Sequence, residues 1–381
     1  MNCTISYKMY HRILQKSIEA QLFKGKTILL TGARQTGKTH LVKQIVQKYE
    51  GAYYNCEIQE VKDLLDITSI TSLTRLIPKS KLVVFDEAQD IADIGKKLKI
   101  LHDEIDGLQI IATGSSSFQL LNKASEPLTG RSREYHLFPL SIQEIIDDVG
   151  IVYAKGKISD LMIFGSYPEV YNMESNEDKI EALTNISNNY LYKDTLKYED
   201  IKKPLVFKKL LTILALQVGS EVSLNKLSNE VNVSIQTVEK YLDILEKNFI
   251  VFSLMSFSRN IAKEISKSRK YYFYDLGIRN SIINNFNQMS LRQDVGKLWE
   301  NFCILERKKY NHYSKLHKNL YFWRTYDQQE IDLIEEYGGK LAAFEFKYNS
   351  SKAKFPKIFS ETYNNASFRL VNDKNLFDIL E

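Results

Sequence analysis

The sequence predicts an α/β protein: a parallel-sheet domain at the N-terminus, a helical middle and a second α/β domain at the C-terminus. Three observations predict it. An apolar run, Thr27-Ile28-Leu29-Leu30, leads into a glycine-bearing loop and then a helical pattern from His40 to Tyr49. A second apolar run, Leu82-Val83-Val84-Phe85, ends in two acids, Asp86 and Glu87. Near the C-terminus, Gly338-Gly339 separates two strand-like runs, the second of which ends in Glu345-Phe346-Lys347. Strands alternating with helical patterns indicate a parallel sheet, and two runs about a Gly-Gly turn indicate a hairpin.

A chain of 381 residues, 44% hydrophobic and 26% charged, has the composition of a globular protein with two or three domains. Cys3, Cys56 and Cys303 are far apart and odd in number, which gives neither a disulfide framework nor a zinc spacing and favours a reducing compartment. With no apolar run of about 18 residues and no apolar signal core, the expected location is the cytoplasm and no membrane partner is expected. The net charge of +5 is concentrated in residues 258–381. A basic end domain suits DNA or RNA. A solvated lysine-rich surface is the plainer alternative.

The loop Thr31-Gly32-Ala33-Arg34-Gln35-Thr36-Gly37-Lys38-Thr39 fits G-x-x-x-x-G-K-[ST] in full and lies between a strand and a helix. Backbone N–H groups from Gly32 through Ala33, Arg34, Gln35, Thr36, Gly37, Lys38 and Thr39 to His40 can cradle phosphate oxygens. Lys38 would reach the β/γ phosphates and the Thr39 hydroxyl would help hold Mg²⁺. A helix over residues 6–22 precedes the loop. A strand at Gly51–Asn55 and a helical pattern over 57–77 follow it.

Four apolar residues followed by two acids describe a buried parallel strand ending in carboxylates, at the end where open α/β sheets bind ligands. Asp86 is expected beside the metal, and Glu87 as the base that polarises the attacking water. After a helix at 93–106, the strand Leu108–Ala112 ends in Thr113-Gly114-Ser115-Ser116-Ser117, whose hydroxyls suit contact with phosphate or water; an ordinary Ser/Gly turn reads equally well. Arg131 and Arg133, before a short strand at Glu134–Phe138, are candidate sensors or fingers for negative charge that develops during phosphoryl transfer.

These pieces resemble the AAA+ family of P-loop ATPases. Five strands, one of them between the phosphate loop and the acidic strand, suit that family's sheet. More narrowly, the phosphate loop, Phe85-Asp86-Glu87-Ala88-Gln89, Ala112-Thr113-Gly114-Ser115-Ser116 and Leu128-Thr129-Gly130-Arg131 with Pro139-Leu140-Ser141 look like a prokaryotic group with a C-terminal domain of unknown function. The resemblance implies ATP rather than GTP, and a polar sensor after the fourth strand that Thr113 or Ser115 would supply. It implies no substrate.

The ATPase core is expected over residues 1–140 and a helical lid over 141–205. Ser141 with Glu144 fits a capping box at the start of the lid. Gly165-Ser166-Tyr167-Pro168-Glu169 interrupts the lid with a turn and, like Tyr190–Asp194, matches the resembled group. Residues 206–257 show helix–turn–helix spacing that resembles a winged helix. Ser234, Gln236 and Thr237 would begin the reading helix, and Phe249–Leu254 would be a wing strand. Near-zero charge there leaves protein contacts as the alternative to reading DNA.

Residues 258–381 form the last block. The helix beginning at Val295 carries Glu300, one strand carries Asp332, and the next carries Glu345 and Lys347 on one face. Carboxylates and a lysine about one point can bind Mg²⁺ or Mn²⁺ and stabilise a phosphate transition state. This arrangement resembles the PD-(D/E)xK nuclease fold, with Ile331 where the proline would stand. Cleavage and binding without cleavage are both open. The combined reading is an ATP-hydrolysing, Mg²⁺-dependent switch whose nuclease-like end binds or cleaves nucleic acid. The alternative is a slow nucleotide-gated module that signals to a protein partner. A homo-oligomer fits either.

Overall fold

The computed structural model describes residues 10–66, 80–115, 127–188, 201–258, 269–325 and 327–380. It divides into two compact units, Met1–Leu140 with Lys247–Phe249, and Ser141–Glu246 with Ile250–Glu381.

The first unit is a five-stranded parallel sheet: β1 (Thr27–Thr31), β2 (Ala52–Asn55), β3 (Leu82–Asp86), β4 (Gln109–Gly114) and β5 (Ser132–His136). Its order is β2-β3-β4-β1-β5. Every residue of β1, β3 and β4 is buried, which explains their unbroken apolar runs. Around the sheet lie α1 (Ile13–Glu19), α2 (Lys38–Lys48), α3 (Gln59–Leu65) and α4 (Ile94–Glu104). Leu29, Val83, Phe85, Ile110, Leu98 and Leu101 share one core. Each such buried side chain stabilises by roughly 1.5–3 kcal/mol. The helices expected over 6–22 and 57–77 are shorter where described, and both expectations extend into residues outside the described set, as do Ser116, Ser117 and Tyr190–Asp194.

The second unit opens with α5 (Ile142–Val149), α6 (Ile151–Gly156), α7 (Ile158–Phe164), α8 (Pro168–Asn172) and α9 (Asn176–Ile186). The capping box on α5 forms as the sequence suggests: Ser141 Oγ accepts from Glu144 N at 3.2 Å, and Glu144 Oε2 accepts from Ser141 N at 2.9 Å. Then come α10 (Pro204–Leu216), β6 (Glu221–Val222), α11 (Leu224–Val231), α12 (Ile235–Lys247), β7 (Val251–Ser256) and β8 (Arg269–Phe273). The chain continues through α13 (Leu276–Ile282), α14 (Val295–Tyr313), β9 (Asn319–Arg324), β10 (Glu330–Tyr337), β11 (Lys340–Phe346), α15 (Lys357–Thr362) and β12 (Ala366–Val371).

One seven-stranded sheet, β12-β11-β10-β9-β7-β8-β6, runs through this unit. Residues 206–257 and 258–381 share it, because β7 pairs in parallel with β9, Met255 opposite Tyr321. Trp299 of α14 is fully buried, and its Nε1 donates to the Val371 carbonyl at 3.4 Å.

The Gly165-Ser166-Tyr167-Pro168 turn acquires a physical role here. Gly165 adopts φ +74° and Pro168 begins α8. Ser166 N donates to Asp275 Oδ2 at 2.7 Å, while Asp275 Oδ1 caps α13 by accepting from Ile278 N at 3.1 Å. Burial pushes the Asp275 carboxyl up to about 6, although backbone donors favour its charge. From Ser166 Oγ the network continues to Lys309 Nζ (3.4 Å), Glu306 Oε1 (2.7 Å) and, through Oε2, Ile142 N (2.8 Å). The start of α5 and the turn before α8 are thereby fastened to α14.

A Cβ on Gly165 would stand 2.0 Å from Asp275 Oδ1, whereas one on Gly150 (φ +82°) meets nothing within 4 Å. Gly165→Ala is expected to lose about 1–3 kcal/mol through overpacking on top of the backbone strain that both substitutions carry. Thermal denaturation should show a clearly lower Tm for Gly165→Ala than for Gly150→Ala; equal Tm values would contradict this.

Candidate functional site

The phosphate loop is shaped by two close approaches. A Cβ at Gly32 would fall 2.3 Å from the Leu137 carbonyl oxygen, so only glycine fits where the chain leaves β1. Gln35 (φ +60°) and Gly37 (φ +97°) take the left-handed conformation that folds the loop over the start of α2. Gly37 is the N-cap and has no side chain to cap that helix, so the first N–H groups of α2 are open to an anion. Thr36 is buried and its hydroxyl donates to the Ala33 carbonyl at 2.9 Å. Arg34 and Thr39 are half-buried, and Gln35 and His40 are exposed.

Arg12 braces the loop from behind, and nothing in the motif announces it. It is 5% exposed, and its guanidinium donates to the carbonyls of Thr36 (2.5 Å) and Phe138 (2.6 Å). A fork of fixed donors locks the loop to the segment after β5.

Lys38 is buried. Its ammonium donates to the carbonyls of Gly32 (2.9 Å) and Ala33 (3.0 Å) and stands 4.0 Å from Glu87 Oε1. Burial lowers its pKa below the ordinary lysine value, and Glu87 and then Asp86 offset part of that. Two loop carbonyls thus accept from the ammonium, and the ammonium with the first N–H groups of α2 is a donor set suited to a polyphosphate.

The sheet order sets the acids opposite this lysine. β4 lies between β1 and β3, so Thr113 near its end reaches both carboxylate residues. Its hydroxyl donates to Asp86 Oδ1 and accepts from Glu87 N at 3.0 Å. The Tyr53 hydroxyl donates to Asp86 Oδ2 at 2.6 Å. Glu87 has φ +52°, a strained value for a non-glycine residue, and Gln89 Nε2 donates to its Oε2 at 2.7 Å. Ser115 is buried just after β4. Thr39 and Asp86 are the residues that would hold Mg²⁺, with the remaining ligands drawn from phosphate and water.

Arg131 is a correction. It precedes Ser132, which pairs with Thr27 at the start of β1, whereas the phosphate loop follows Thr31 at the other end. Its Nε donates to Asp103 at 2.7 Å. The structure therefore does not bring Arg131 to the phosphate site of its own chain. Arg133, opposite Ile28, is exposed.

In the second unit, Glu300, Asp332, Glu345 and Lys347 do come together. Asp332 Oδ2 accepts from Phe346 N at 2.9 Å, and Lys347 Nζ lies 2.8 Å from Glu345 Oε1. Burial, then Glu300 and Glu345, push the Asp332 carboxyl up to about 8. Sequence reasoning missed Lys270 and Tyr272, both from β8 and both deeply buried. Lys270 Nζ lies 3.1 Å from Glu300 Oε1 and forms an ion pair with Glu330, while the Tyr272 hydroxyl donates to Glu300 Oε1 at 2.7 Å. Lys297 takes Glu300 Oε2 at 3.1 Å. Burial opposes the charge on Lys270, but Glu300 and Glu330 outweigh it and raise its pKa.

Glu300 is therefore engaged by two lysines and a tyrosine rather than left open to a cation. Among the described residues no group of three or more His, Cys, Asp and Glu is arranged to hold a metal ion, so the arrangement does not support the expected second Mg²⁺ or Mn²⁺. Among the described residues no helix is long and apolar enough to cross a membrane.

Comparison with known proteins agrees with the first of these sites. Residues 24–146 match a family model described as an AAA domain. This segment is a P-loop AAA-type ATPase domain. Residues 155–289 and 295–377 match two models described as domains of unknown function, DUF8612 and DUF4143. An uncharacterized protein of Mycobacterium tuberculosis is 29% identical over 334 residues, 87% of this chain and 72% of its own. Another from Methanocaldococcus jannaschii is 24% identical over 319 residues, 78% of this chain and 70% of its own. A solved Walker-type ATPase of Pyrococcus abyssi superposes with a TM-score of 0.51 at 14% identity, covering 72% of this chain and 96% of that one, which is a likeness of fold.

Asp332 supplies a test of the acidic cluster. An acid whose folded pKa is raised lends stability that is complete below its ordinary value of 3.8 and is lost as pH rises to about 8. Asp332→Asn removes that loss. Its Tm should exceed that of the unmodified chain at pH 8, and the gap should shrink at pH 5; a pH-independent gap would refute the coupling.

Proposed function

We propose that this chain is an ATP-hydrolysing switch whose C-terminal, nuclease-like portion binds nucleic acid. One observation carries the ATPase reading: the Glu87 carboxylate is held by Gln89 at 2.7 Å and faces the buried Lys38 ammonium at 4.0 Å. In the proposed reaction Lys38 leaves the Gly32 and Ala33 carbonyls for the β/γ-phosphate oxygens. Backbone N–H groups from the loop and α2 orient the triphosphate. Glu87 accepts a proton from the attacking water as the bond to the γ-phosphoryl group breaks, giving ADP and phosphate. Mg²⁺, when bound by Thr39 and Asp86, would neutralise charge on the phosphates. Thr113 and Ser115 fit the sensor position.

We carry the four-part division at residues 140, 205 and 257 forward as part of this reading, with a winged helix in the third part. Its support is the run α10, α11, α12, β7 and β8, with Asn232 (φ +54°) at the turn and Ser234 and Gln236 exposed at the start of α12. The nuclease-like assignment is supported by the order α14-β9-β10-β11-α15-β12 and by the clustering of Glu300, Asp332, Glu345 and Lys347. Engagement of Glu300 by Lys270 favours binding over metal-dependent cleavage.

The position of Arg131 favours a second reading, a slow switch. An arginine finger that Arg131 does not supply in cis would come from another copy or from a protein partner. Turnover that rises with protein concentration would point to another copy.

Two experiments test the main reading. Phosphate release from ATP with Mg²⁺ should vanish in Lys38→Ala, whereas Glu87→Gln should keep nucleotide binding and lose about 10²–10⁴-fold in kcat. Unchanged turnover in Glu87→Gln would overturn the assigned base. For the C-terminal portion, binding of labelled DNA and RNA should weaken with rising salt and in Lys347→Ala, without cutting in Mg²⁺ or Mn²⁺. Cutting that Lys347→Ala abolishes would replace binding with catalysis.

A further inference from the structure

Asp86 is 2% exposed, and a hydroxyl engages each of its carboxylate oxygens. Thr113 takes Oδ1 and is itself tied to Glu87 N, so that bond belongs to the scaffold joining the two acids. Tyr53 takes Oδ2 at 2.6 Å and has no such second duty there. It comes from β2, the edge strand of the sheet, and is only half-buried. Its ring lies beside α2, with Lys43 Nζ 5.0 Å from the ring centroid. Lys43 is one turn beyond Thr39, so the same helix flank carries the metal-side hydroxyl and the cation over the tyrosine. Tyr53 therefore touches Asp86 with its hydroxyl and, with its ring, a lysine of the helix that carries Thr39.

A carboxylate oxygen at this position serves a metal by accepting from a metal-bound water or by ligating directly, and at Oδ2 either competes with the phenol for that oxygen's lone pairs. We propose that Tyr53 is a positioning residue that latches Asp86 in the nucleotide-free protein and is displaced when Mg²⁺ enters with the nucleotide. The latch keeps a buried carboxylate satisfied while the metal is away. It also makes the release of an edge-strand side chain part of Mg²⁺ entry, so that β2 registers whether the metal is bound. This inference rests on the ATP-site reading above.

Tyr53→Phe keeps the ring and its contact with Lys43 and removes only the competing donor. Mant-ATP binding to the full chain would be measured first in EDTA and then across a Mg²⁺ series. Affinity in EDTA should stay within about two-fold of the unmodified chain. The Mg²⁺ concentration that half-saturates the metal-dependent gain should fall roughly three- to ten-fold, the range expected for losing one competing hydrogen bond. The same substitution in an Asp86→Ala background should leave the Mg²⁺ response unchanged, because the shared acceptor has gone. An unaltered Mg²⁺ midpoint in Tyr53→Phe overturns the latch, and a raised midpoint overturns it in favour of a phenol that supports metal binding. If the unmodified chain binds no mant-ATP with or without Mg²⁺, the ATP-site reading falls and takes the latch with it. Binding that is normal in both proteins with equal midpoints removes the latch alone.

Discussion

The buried ammonium of Lys38 sets the terms for the first unit. A lysine taken out of water must be met by oxygen, and here it is met by two carbonyls of its own loop and, at 4.0 Å, by Glu87. Those carbonyls are available because Gly32 lets the chain pass against Leu137 and because Arg12 clamps Thr36 from the opposite side. Glu87 is available because β4 sits between β1 and β3 and its Thr113 ties the two acids together. Loop, sheet order and acid pair thus solve one electrostatic problem. In the proposed reaction the triphosphate takes over the role of those carbonyls.

The second unit contains a different solution to a similar problem. Glu300, Asp332 and Glu345 are drawn close enough to hold the Asp332 proton to about pH 8. Lys270, Lys297 and Lys347 supply the compensating charge, and Lys270 is almost wholly buried in doing so. Buried ion pairs of this kind bring little net stability once desolvation is counted. Their effect here is to fix which strand faces which, since Lys270 of β8 and Glu300 of α14 must meet. The shared sheet makes that meeting unavoidable.

Local pattern made most of the architecture legible. The phosphate loop, the Asp-Glu strand, the capping box at Ser141 and the E-x-K strand all depend on residues within a few positions of one another, and each lies where its pattern implies. The residues that escaped notice act across long separations. Arg12 meets Thr36 and Phe138, Tyr53 meets Asp86, and Lys270 meets Glu300; no periodicity connects such pairs. Arg131 failed for the converse reason. It is near the other motifs in sequence, but it lies where β1 begins, a five-residue strand away from the phosphate loop. The Gly165 turn had a visible motif and an invisible cause, because its partner Asp275 lies more than a hundred residues away.

The continuity of the second sheet bears on how a ligand at the acidic cluster would be sensed. β8 supplies Lys270 and Tyr272 to Glu300, while its neighbour β7 pairs with both β8 and β9. Lys297, which also holds Glu300, donates to the carbonyl of Gly219 at 3.0 Å, just before β6. A charge entering beside Glu345 and Lys347 therefore perturbs the same ion-pair set that fixes β8 and the Gly219 turn. Residues 206–257 are tied to that ion-pair set through the Gly219 turn and through the pairing of β7 with β8. Helix α11 follows the edge strand β6, and α12 leads into the interior strand β7. The ion pairs around Glu300 thus join α14, β8 and the Gly219 turn without a separate linker.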